Sequence, residues 1–199
     1  MTYYAERPDR SSSRLEDYDY SQEGAYFITI CVQGRRALLG DVRHGTILLS
    51  HLREIVRSEW IKLPKRFSNV LLDEFIIMPN HVHGIIIIDG RGESCICPDD
   101  STGDHKDRPY GTGTNSIGRI IQAYKSITTN KYILGVKKNS WRPFPGRLWQ
   151  RNYYDHIIRN EEDLFEVREY IVNNPLNWDK DEENLQNKIR GDARCCVST

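Results

Sequence analysis

Long apolar runs, paired cysteines and internal repeats are all missing from this chain of 199 residues. No apolar run approaches the roughly 18 residues that a helix needs to cross a bilayer, which predicts a protein without membrane spans. The first residues, MTYYAERPDRSSSRLEDYDYSQ, contain no apolar core of the kind found in signal peptides. With 38% hydrophobic and 28% charged residues, the composition is typical of one soluble globular domain.

The cysteines are odd in number and none stands in a CxxC pair; they are Cys31, Cys95, Cys97, Cys195 and Cys196. This spacing disfavours a disulfide framework and a zinc ribbon, and it predicts a reducing compartment, the cytoplasm. A glycine-rich phosphate loop of the Walker type is also absent, so the sequence does not predict ATP binding.

Acidic residues are missing from one long segment, although the formal net charge of the chain is zero. Between Asp107 and Asp155 there are nine basic residues and no acidic one. Aromatic residues are interleaved with these cations, which favours single-stranded nucleic acid, because unpaired bases stack on exposed rings. The alternative is a solvated basic face that only balances acidic residues downstream. The predicted DNA contacts are Arg119, Lys125, Lys131, Lys137, Lys138 and Arg142.

The predicted elements are a strand over 25–33, a hairpin over 38–49, a helix over 51–64, a strand pair over 69–89, a helix over 117–134, a strand over 146–158 and a helix over 161–174. Ser50, Ser116 and Asn160 are predicted N-caps, while Pro64 and Pro175 are predicted stops. This order predicts an α+β fold, a ferredoxin-like antiparallel sheet with helices on one face and an added C-terminal catalytic helix.

Polar composition predicts three segments outside the packed part of the domain, which we expect to span 23–178. Residues 1–22 include a serine run and are predicted to form a flexible N-terminal arm. Residues 90–115, rich in Gly, Ser, Asp and Pro, are predicted to form a flexible insertion loop, and residues 179–199 a polar C-terminal tail.

Two histidines interrupt the most apolar stretch of the chain, FIIMPNHVHGIIIID. His81 and His83 are two residues apart, so on a strand both imidazoles point to the same face. Imidazoles are frequent ligands of divalent ions, but two alone need an oxygen donor to complete a site. The alternative is that one or both are ordinary core or solvent-facing histidines.

The last predicted helix could supply that oxygen. Tyr170 and Asn174 are four residues apart and share one helical face near the helix end. Asn174 offers a carbonyl oxygen to a metal ion, and Tyr170 offers a hydroxyl nucleophile to a metal-polarised phosphate. The alternatives are a C-terminal cap for Asn174 and a packing aromatic for Tyr170. Tyr153 and Tyr154 are rival nucleophiles, but their predicted strand carries no neighbouring amide ligand.

Four motifs in this order, YDYSQEGAYFITI, MPNHVHGIIII, LWQRNYYDHIIRNEEDL and YIVNNP, resemble those of the REP-associated tyrosine transposases. These are relatives of the single-tyrosine HUH transposases of small insertion sequences, where HUH means His-hydrophobic-His. The resemblance runs from Tyr18 to Trp178. It implies a ferredoxin-like domain that cuts single-stranded DNA and rejoins it.

The resemblance also implies roles for individual residues. Tyr170 would be the nucleophile that forms a 5′-phosphotyrosine link and leaves a free 3′-hydroxyl. His81, His83 and Asn174 would hold Mg²⁺ or Mn²⁺. The implied partner is a hairpin of a repetitive extragenic palindrome with its flanking single strand. Monomer and homodimer are both left open.

Four other functions are alternatives to this one. A domesticated, hairpin-specific DNA-binding protein without mobility would have the same residues. A replication-initiator-type HUH nickase shares the chemistry, but such proteins usually carry helicase or primase domains that this sequence does not predict. A metal-free nucleic-acid-binding module would need exposed aromatics on the central strands, and a metal-dependent phosphohydrolase would normally bring carboxylate ligands to the motif.

Overall fold

The structure is a computed structural model, and it describes residues 18–43, 46–90, 116–178 and 184. Its elements are β1 (Gly24–Cys31), β2 (Gly40–Arg43), β3 (Thr46–Leu49), α1 (His51–Ile61), α2 (Leu63–Arg66), β4 (Val70–Ile77), β5 (His81–Ile88), α3 (Ile117–Asn139), β6 (Tyr154–Ile158) and α4 (Glu161–Asn173). Within the described residues, no helix has both the length and the apolar character that a membrane crossing requires.

Four of the strands form one antiparallel sheet in the order β4-β5-β1-β6, while β2 and β3 pair as a separate hairpin. The chain passes from β1 through α1 to β4, and from β5 through α3 to β6, so each helical connection skips one strand of the sheet. This is the ferredoxin-like arrangement, and the predicted α+β fold class is confirmed.

The alternation of side chains along the strands divides the core into two faces. On the α1/α3 face, Ile28 of β1 and Val82 of β5 belong to a large cluster that includes residues of both helices. On the α4 face, Phe27 and Ile85 pack with Ile171 of α4 in a smaller cluster. The sheet therefore has α1 and α3 on one side and the added C-terminal helix on the other.

Gly84 lets α1 approach the middle of the sheet. A Cβ at this position would lie 2.4 Å from Cζ2 of Trp60, which is fully buried on α1. Packing on the α1/α3 face therefore requires a glycine here, while the neighbours His83 and Ile85 point to the opposite face.

The prediction that Pro64 ends the first helix is wrong. α1 ends at Ile61, and Pro64 lies in the first turn of α2, where a proline does not remove a hydrogen bond that the helix needs. The capping prediction is confirmed at Ser50, whose side chain accepts from the N–H of Arg53 at 3.1 Å.

Two further element bounds differ from the prediction. α3 continues to Asn139, and its last turn carries Lys137 and Lys138, whose charge suits the negative end of the helix dipole. Of the strand predicted over 146–158, only β6 is a regular strand. Before β6, the described residues of this segment form one isolated β-bridge, between Trp149 and Val32.

The packed domain begins before the predicted boundary at residue 23. Tyr20 is 5% exposed in the core of the α1/α3 face, and its carbonyl accepts from the N–H of Ile117 at 3.1 Å. Tyr18 packs edge-on against the Tyr20 ring, with 5.0 Å between the ring centroids. The predicted arm at 1–17, the insertion loop beyond Gly90 and nearly all of the tail lie outside the described residues.

Candidate functional site

His81 and His83 lie at the start of β5, a central strand between β4 and β1. Both imidazoles point to the α4 face, with ring centroids 4.3 Å apart and ring planes at 65°. His81 is fully buried and His83 is 3% exposed. The two rings therefore meet in the way that their two-residue spacing predicts.

Asn80 orients the His81 ring. Its side-chain N–H donates to the carbonyl of Arg35 at 3.1 Å, so its oxygen Oδ1 is the atom that faces Nδ1 of His81, at 2.7 Å. An amide oxygen only accepts hydrogen bonds, and Nδ1 must therefore carry the proton. Nε2 of His81 is left with a lone pair, and it is buried with no hydrogen-bond partner among the described residues.

Thr29 and Phe27 of β1 hold the His83 ring. Thr29 is directly opposite His83 in the register of the two strands, and its Oγ1 lies 2.8 Å from Nδ1 of His83. Phe27 stacks on the imidazole, with centroids 5.3 Å apart and planes at 27°. Because Thr29 Oγ1 can accept from Nδ1, Nε2 is free to accept from Oη of Tyr170, which lies 3.4 Å away.

α4 carries Tyr170 across the face of the sheet to this point. The helix starts at Glu161, and the side chain of its N-cap Asn160 accepts from the N–H of Asp163 at 2.8 Å, which confirms the capping prediction. Tyr170 is 48% exposed, and its ring meets Phe27 edge-on, with 5.9 Å between centroids. The helix thus presents a half-exposed phenol beside His83 of the same chain.

The turns that follow α4 lie next to His81. Asn174 comes about one turn after Tyr170, and Trp178 one turn later, with the Trp178 ring centroid 6.0 Å from that of His81. Asn174 therefore lies in the sequence between two residues that contact the histidine pair, Tyr170 at His83 and Trp178 at His81. Its side chain is 3% exposed, and Oδ1 is buried without a hydrogen-bond partner among the described residues.

The donor set fits a divalent cation. Burial, with smaller repulsion from His83 and Arg35, holds the pKa of His81 well below its usual value, and burial lowers the pKa of His83 to about 3. Both rings are therefore neutral at physiological pH, the form that binds metal. A buried acceptor without a partner costs about 1–3 kcal/mol. A cation that bound both Nε2 of His81 and Oδ1 of Asn174 would remove this cost at each atom.

A site made only of histidine, cysteine and carboxylate ligands is not available in the part of the chain that the structure describes. No group of three such residues there is arranged to hold a metal ion. Among the described residues, a third ligand beside the two imidazoles would therefore be of another type, and the Asn174 amide oxygen at the C-cap of α4 is a candidate.

The six basic residues predicted to contact DNA lie on α3 or just after it, on the side of the sheet opposite the histidines. Lys131 forms an ion pair with Glu59 at 2.7 Å, and Lys125 donates to the carbonyls of Gln150 and Asn152 at 3.0 Å each. These two side chains thus bind groups of the protein itself, although the Lys131 side chain is 45% exposed. The remaining four are exposed, namely Arg119, Lys137, Lys138 and Arg142.

The rival tyrosines point to opposite faces, as expected for neighbours on a strand. Tyr153 packs against the core of the α1/α3 face. Tyr154 is 52% exposed on the α4 face, where its ring meets Phe27 edge-on at 6.5 Å. Tyr154 therefore lies on the same face as Tyr170, but its ring contact there is to Phe27.

Three neighbours of the histidine pair are not identified by the sequence patterns. Asn80 directly precedes His81 in the motif, and this adjacency is the sequence feature that could have identified it. Thr29 becomes visible only when the register of β1 and β5 is known. Trp178 comes after Pro175, beyond the predicted end of the last helix, where no periodic pattern assigns it a face.

Comparison with known proteins gives one relative and a shared fold. No protein-family model matches the chain. An uncharacterised protein from Haemophilus influenzae is 39% identical over 174 residues, which are 87% of this chain and 92% of that protein. The solved structure of a REP-associated tyrosine transposase bound to a REP hairpin has a TM-score of 0.53 at 20% identity, covering 83% of this chain and 74% of that chain.

A candidate transposase from Deinococcus radiodurans has a TM-score of 0.37 at 18% identity, over 81% of this chain and 97% of that one, which is too low to support an argument. The similarity to the hairpin-bound transposase, at 20% identity, establishes a transposase-like fold and leaves the chemistry to the site itself.

Proposed function

This chain belongs to the same family as the uncharacterised protein from Haemophilus influenzae, and we propose that it cuts and rejoins single-stranded DNA through a covalent tyrosine link. One observation carries the proposal: Oη of Tyr170 lies 3.4 Å from Nε2 of His83, and the Asn174 amide follows one turn later on the same helix. The transposase-like fold supports it.

In the proposed reaction, Oη of Tyr170 attacks the phosphorus of a phosphodiester. A bond forms between that oxygen and phosphorus, and the bond from phosphorus to the 3′ oxygen breaks. The product is a 5′-phosphotyrosine and a strand that ends in a 3′-hydroxyl. The phenol proton leaves to solvent and the departing oxygen takes one up, so the step needs no oxidant, reductant or nucleotide. Attack by a 3′-hydroxyl on the phosphotyrosine reverses the step and rejoins DNA.

His81, His83 and Asn174 are the proposed ligands of Mg²⁺ or Mn²⁺. A divalent ion at this position would polarise the scissile phosphate and stabilise the charge that develops on the leaving oxygen. Asn80 and Thr29 keep the two Nε2 atoms directed into the site, because each occupies the Nδ1 atom of one ring. The Tyr170 hydroxyl lies beside His83 of its own chain, which favours attack within one chain and requires no second copy.

The proposed substrate is a DNA hairpin with its flanking single strand, the kind of DNA to which the structurally similar transposase is bound. Exposed cations at the end of α3, Lys137 and Lys138, together with Arg142, are proposed to contact the phosphate backbone outside the site. A domesticated protein that nicks and binds such hairpins without moving them would use the same residues, and the replication-initiator type of nickase would use the same chemistry.

The test is covalent capture of DNA. Purified protein is incubated with Mn²⁺ and a library of 3′-labelled hairpin oligonucleotides with randomised flanking strands, and adducts are resolved under denaturing conditions. The label should remain on the protein, since the downstream fragment carries the 5′ phosphate, and the modified peptide should contain Tyr170. Tyr170→Phe should form no adduct, whereas Tyr154→Phe should still form one. Absence of an adduct, or a modified peptide that contains Tyr153 or Tyr154, would overturn the proposal.

A further inference from the structure

A cleft lies between β6 and α4, on the same face of the sheet as the histidine pair. Phe27 of β1 forms part of its lining, His156 and Tyr154 belong to the β6 wall, and Glu166 and Tyr170 belong to the α4 wall. The α4 residues of the cleft recur every three or four positions, so they form one continuous stripe of the helix. The cleft is open to solvent along its length.

The aromatic residues of the cleft make it suited to a flat, unpaired ring. Phe27 is 8% exposed, and the rings of Tyr154 and Tyr170 both meet it edge-on, at 6.5 and 5.9 Å. About half of each tyrosine side chain is exposed, 52% for Tyr154 and 48% for Tyr170. Exposed rings next to an apolar contact are the usual stacking surfaces for single-stranded nucleic acid.

The charges of the cleft distinguish a base from a phosphate. Asp163 accepts from Nε2 of His156 at 3.0 Å, and Glu166 is exposed one turn along the same stripe of α4. Two carboxylates disfavour a phosphate group but accept hydrogen bonds from amino groups. Adenine, cytosine and guanine carry such amino groups on their base-pairing edges, and thymine does not.

Tyr170 connects this cleft to the reacting group. Its hydroxyl faces His83, while its ring is part of the cleft. A phosphate placed at the hydroxyl therefore has its own nucleoside within reach of the cleft. Because the cleft repels phosphate, the backbone is directed towards the histidine side and the base towards β6.

We propose that this cleft binds one unpaired base of the nucleotide that flanks the scissile phosphate, with Tyr154 as the stacking ring and Glu166 as the acceptor for the amino group of the base. The inference rests on the proposed DNA cleavage and adds a specificity subsite to it. It predicts that adenine, cytosine or guanine is preferred over thymine at this single position.

The test measures binding with the non-cleaving Tyr170→Phe protein as background. A hairpin selected from the same library by its affinity for the Tyr170→Phe protein is scanned with single abasic positions in its flanking strand, and affinities are measured with and without Tyr154→Ala. At one position the intact strand should bind about tenfold more weakly to the Tyr154→Ala protein, while the abasic strand should bind both proteins equally. Phe165→Ala is the matched control, since it removes an exposed ring of α4 that does not line the cleft.

Glu166→Gln tests the acceptor at the same position. It should reduce the discrimination between an amino-bearing base and thymine, and Glu162→Gln, in the first turn of α4, should not. The subsite would be refuted if Tyr154→Ala reduced affinity equally whichever position of the strand is abasic. An unchanged base preference in Glu166→Gln would also refute it. If Tyr154→Ala loses affinity at one position only but the wild-type protein forms no adduct, the cleavage reaction is refuted and the subsite is retained. An adduct without base-specific loss would refute the subsite alone.

Discussion

Glu59 and His81 are two almost inaccessible polar side chains on opposite faces of the same sheet, and their surroundings differ. Glu59, on α1, is 2% exposed and forms ion pairs with three cations, those of Lys62, Arg66 and Lys131, at 3.0, 3.0 and 2.7 Å. His81, on β5, is fully buried, and its Nε2 has no partner among the described residues.

Several buried polar groups near Glu59 also have hydrogen-bond partners. On the α1/α3 face, the Tyr124 hydroxyl donates to the carbonyl of Val56 at 3.0 Å, and the Trp149 indole donates to Thr128 at 2.9 Å. Nε1 of Trp60 is buried there without a hydrogen-bond partner among the described residues.

On the α4 face two buried acceptors lack a partner among the described residues, Nε2 of His81 and Oδ1 of Asn174. The hydrophobic cluster on that face is also smaller, and Tyr170 is left half exposed. Buried polar groups that bond to each other stabilise a fold, whereas buried acceptors without a partner cost free energy until a ligand binds them. We infer that the α1/α3 face mainly stabilises the domain and that the α4 face mainly binds.

The largest expected effect separates activity from stability. His81→Ala or His83→Ala should reduce adduct formation by about a thousandfold or more, since a bound metal ion contributes several kcal/mol to such a reaction. Ile86→Ala, at a buried position on the α1/α3 face, should instead lower the free energy of unfolding by about 2–5 kcal/mol. Adduct yield and urea denaturation of the metal-free proteins measure the two effects.

His81→Ala should lose less stability than Ile86→Ala, because it also removes a buried nitrogen that has no partner. Full adduct formation by His81→Ala would contradict the assignment of the α4 face as the binding face.

A smaller effect is expected from Glu59, on the pH dependence of the free energy of unfolding. Burial alone would raise the pKa of this carboxyl, but hydrogen bonds and charges from Lys131 and Lys62 outweigh it and lower the pKa from 4.5 to about 2. A pKa that is lower in the folded state stabilises the fold above pH 4.5, and the contribution is lost as the pH falls towards 2. A difference of this size corresponds to about 3 kcal/mol.

Denaturation of wild type and Glu59→Gln at pH 7, 4 and 3 measures this contribution. The wild-type protein should lose more stability than the variant over that range, and Glu54→Gln, at an exposed position of the same helix, should behave like wild type. Parallel curves for wild type and Glu59→Gln would show that the three cations do not stabilise the charged carboxyl.

The smallest effect is expected at the end of α3. Charge reversal at Lys137 and Lys138 should weaken binding of single-stranded DNA several-fold and flatten its salt dependence by about 0.7 per lost phosphate contact, without changing Tm. Lys131→Glu should lower Tm, because it places a second carboxylate against Glu59. An unchanged salt slope in the Lys137 and Lys138 variants would remove this surface from the proposed DNA path.

Much of the fold could be predicted because its determinants are local. Ser50, Ser116 and Asn160 each cap the helix that follows, through a bond that spans three residues. The apolar alternation in β1 and β5 also depends only on neighbouring positions. The prediction at Pro64 is wrong because a proline is compatible with the first turn of a helix as well as with its end, and the packing of Leu63 in the core decides between the two.

Some features of the site are determined by local spacing in the sequence, and others by long-range packing. The spacing of His81 and His83 on a strand, and of Tyr170 and Asn174 on a helix, determined that each pair shares one face, since the periods of these structures are local properties of the backbone. No local rule determines that Tyr170 reaches His83. That depends on α4 packing across the face of the sheet that α1 and α3 leave open.

Two contacts of predicted residues were likewise decided only by tertiary structure. Thr29 reaches His83 because β1 and β5 pair in one register, and Lys131 reaches Glu59 because α3 packs against α1. The sequence by itself determined which side chains were available and which face of their own element they occupy. The tertiary structure decided which of them meet, because the packing of side chains far apart in the sequence selects the strand register and the face that each helix covers.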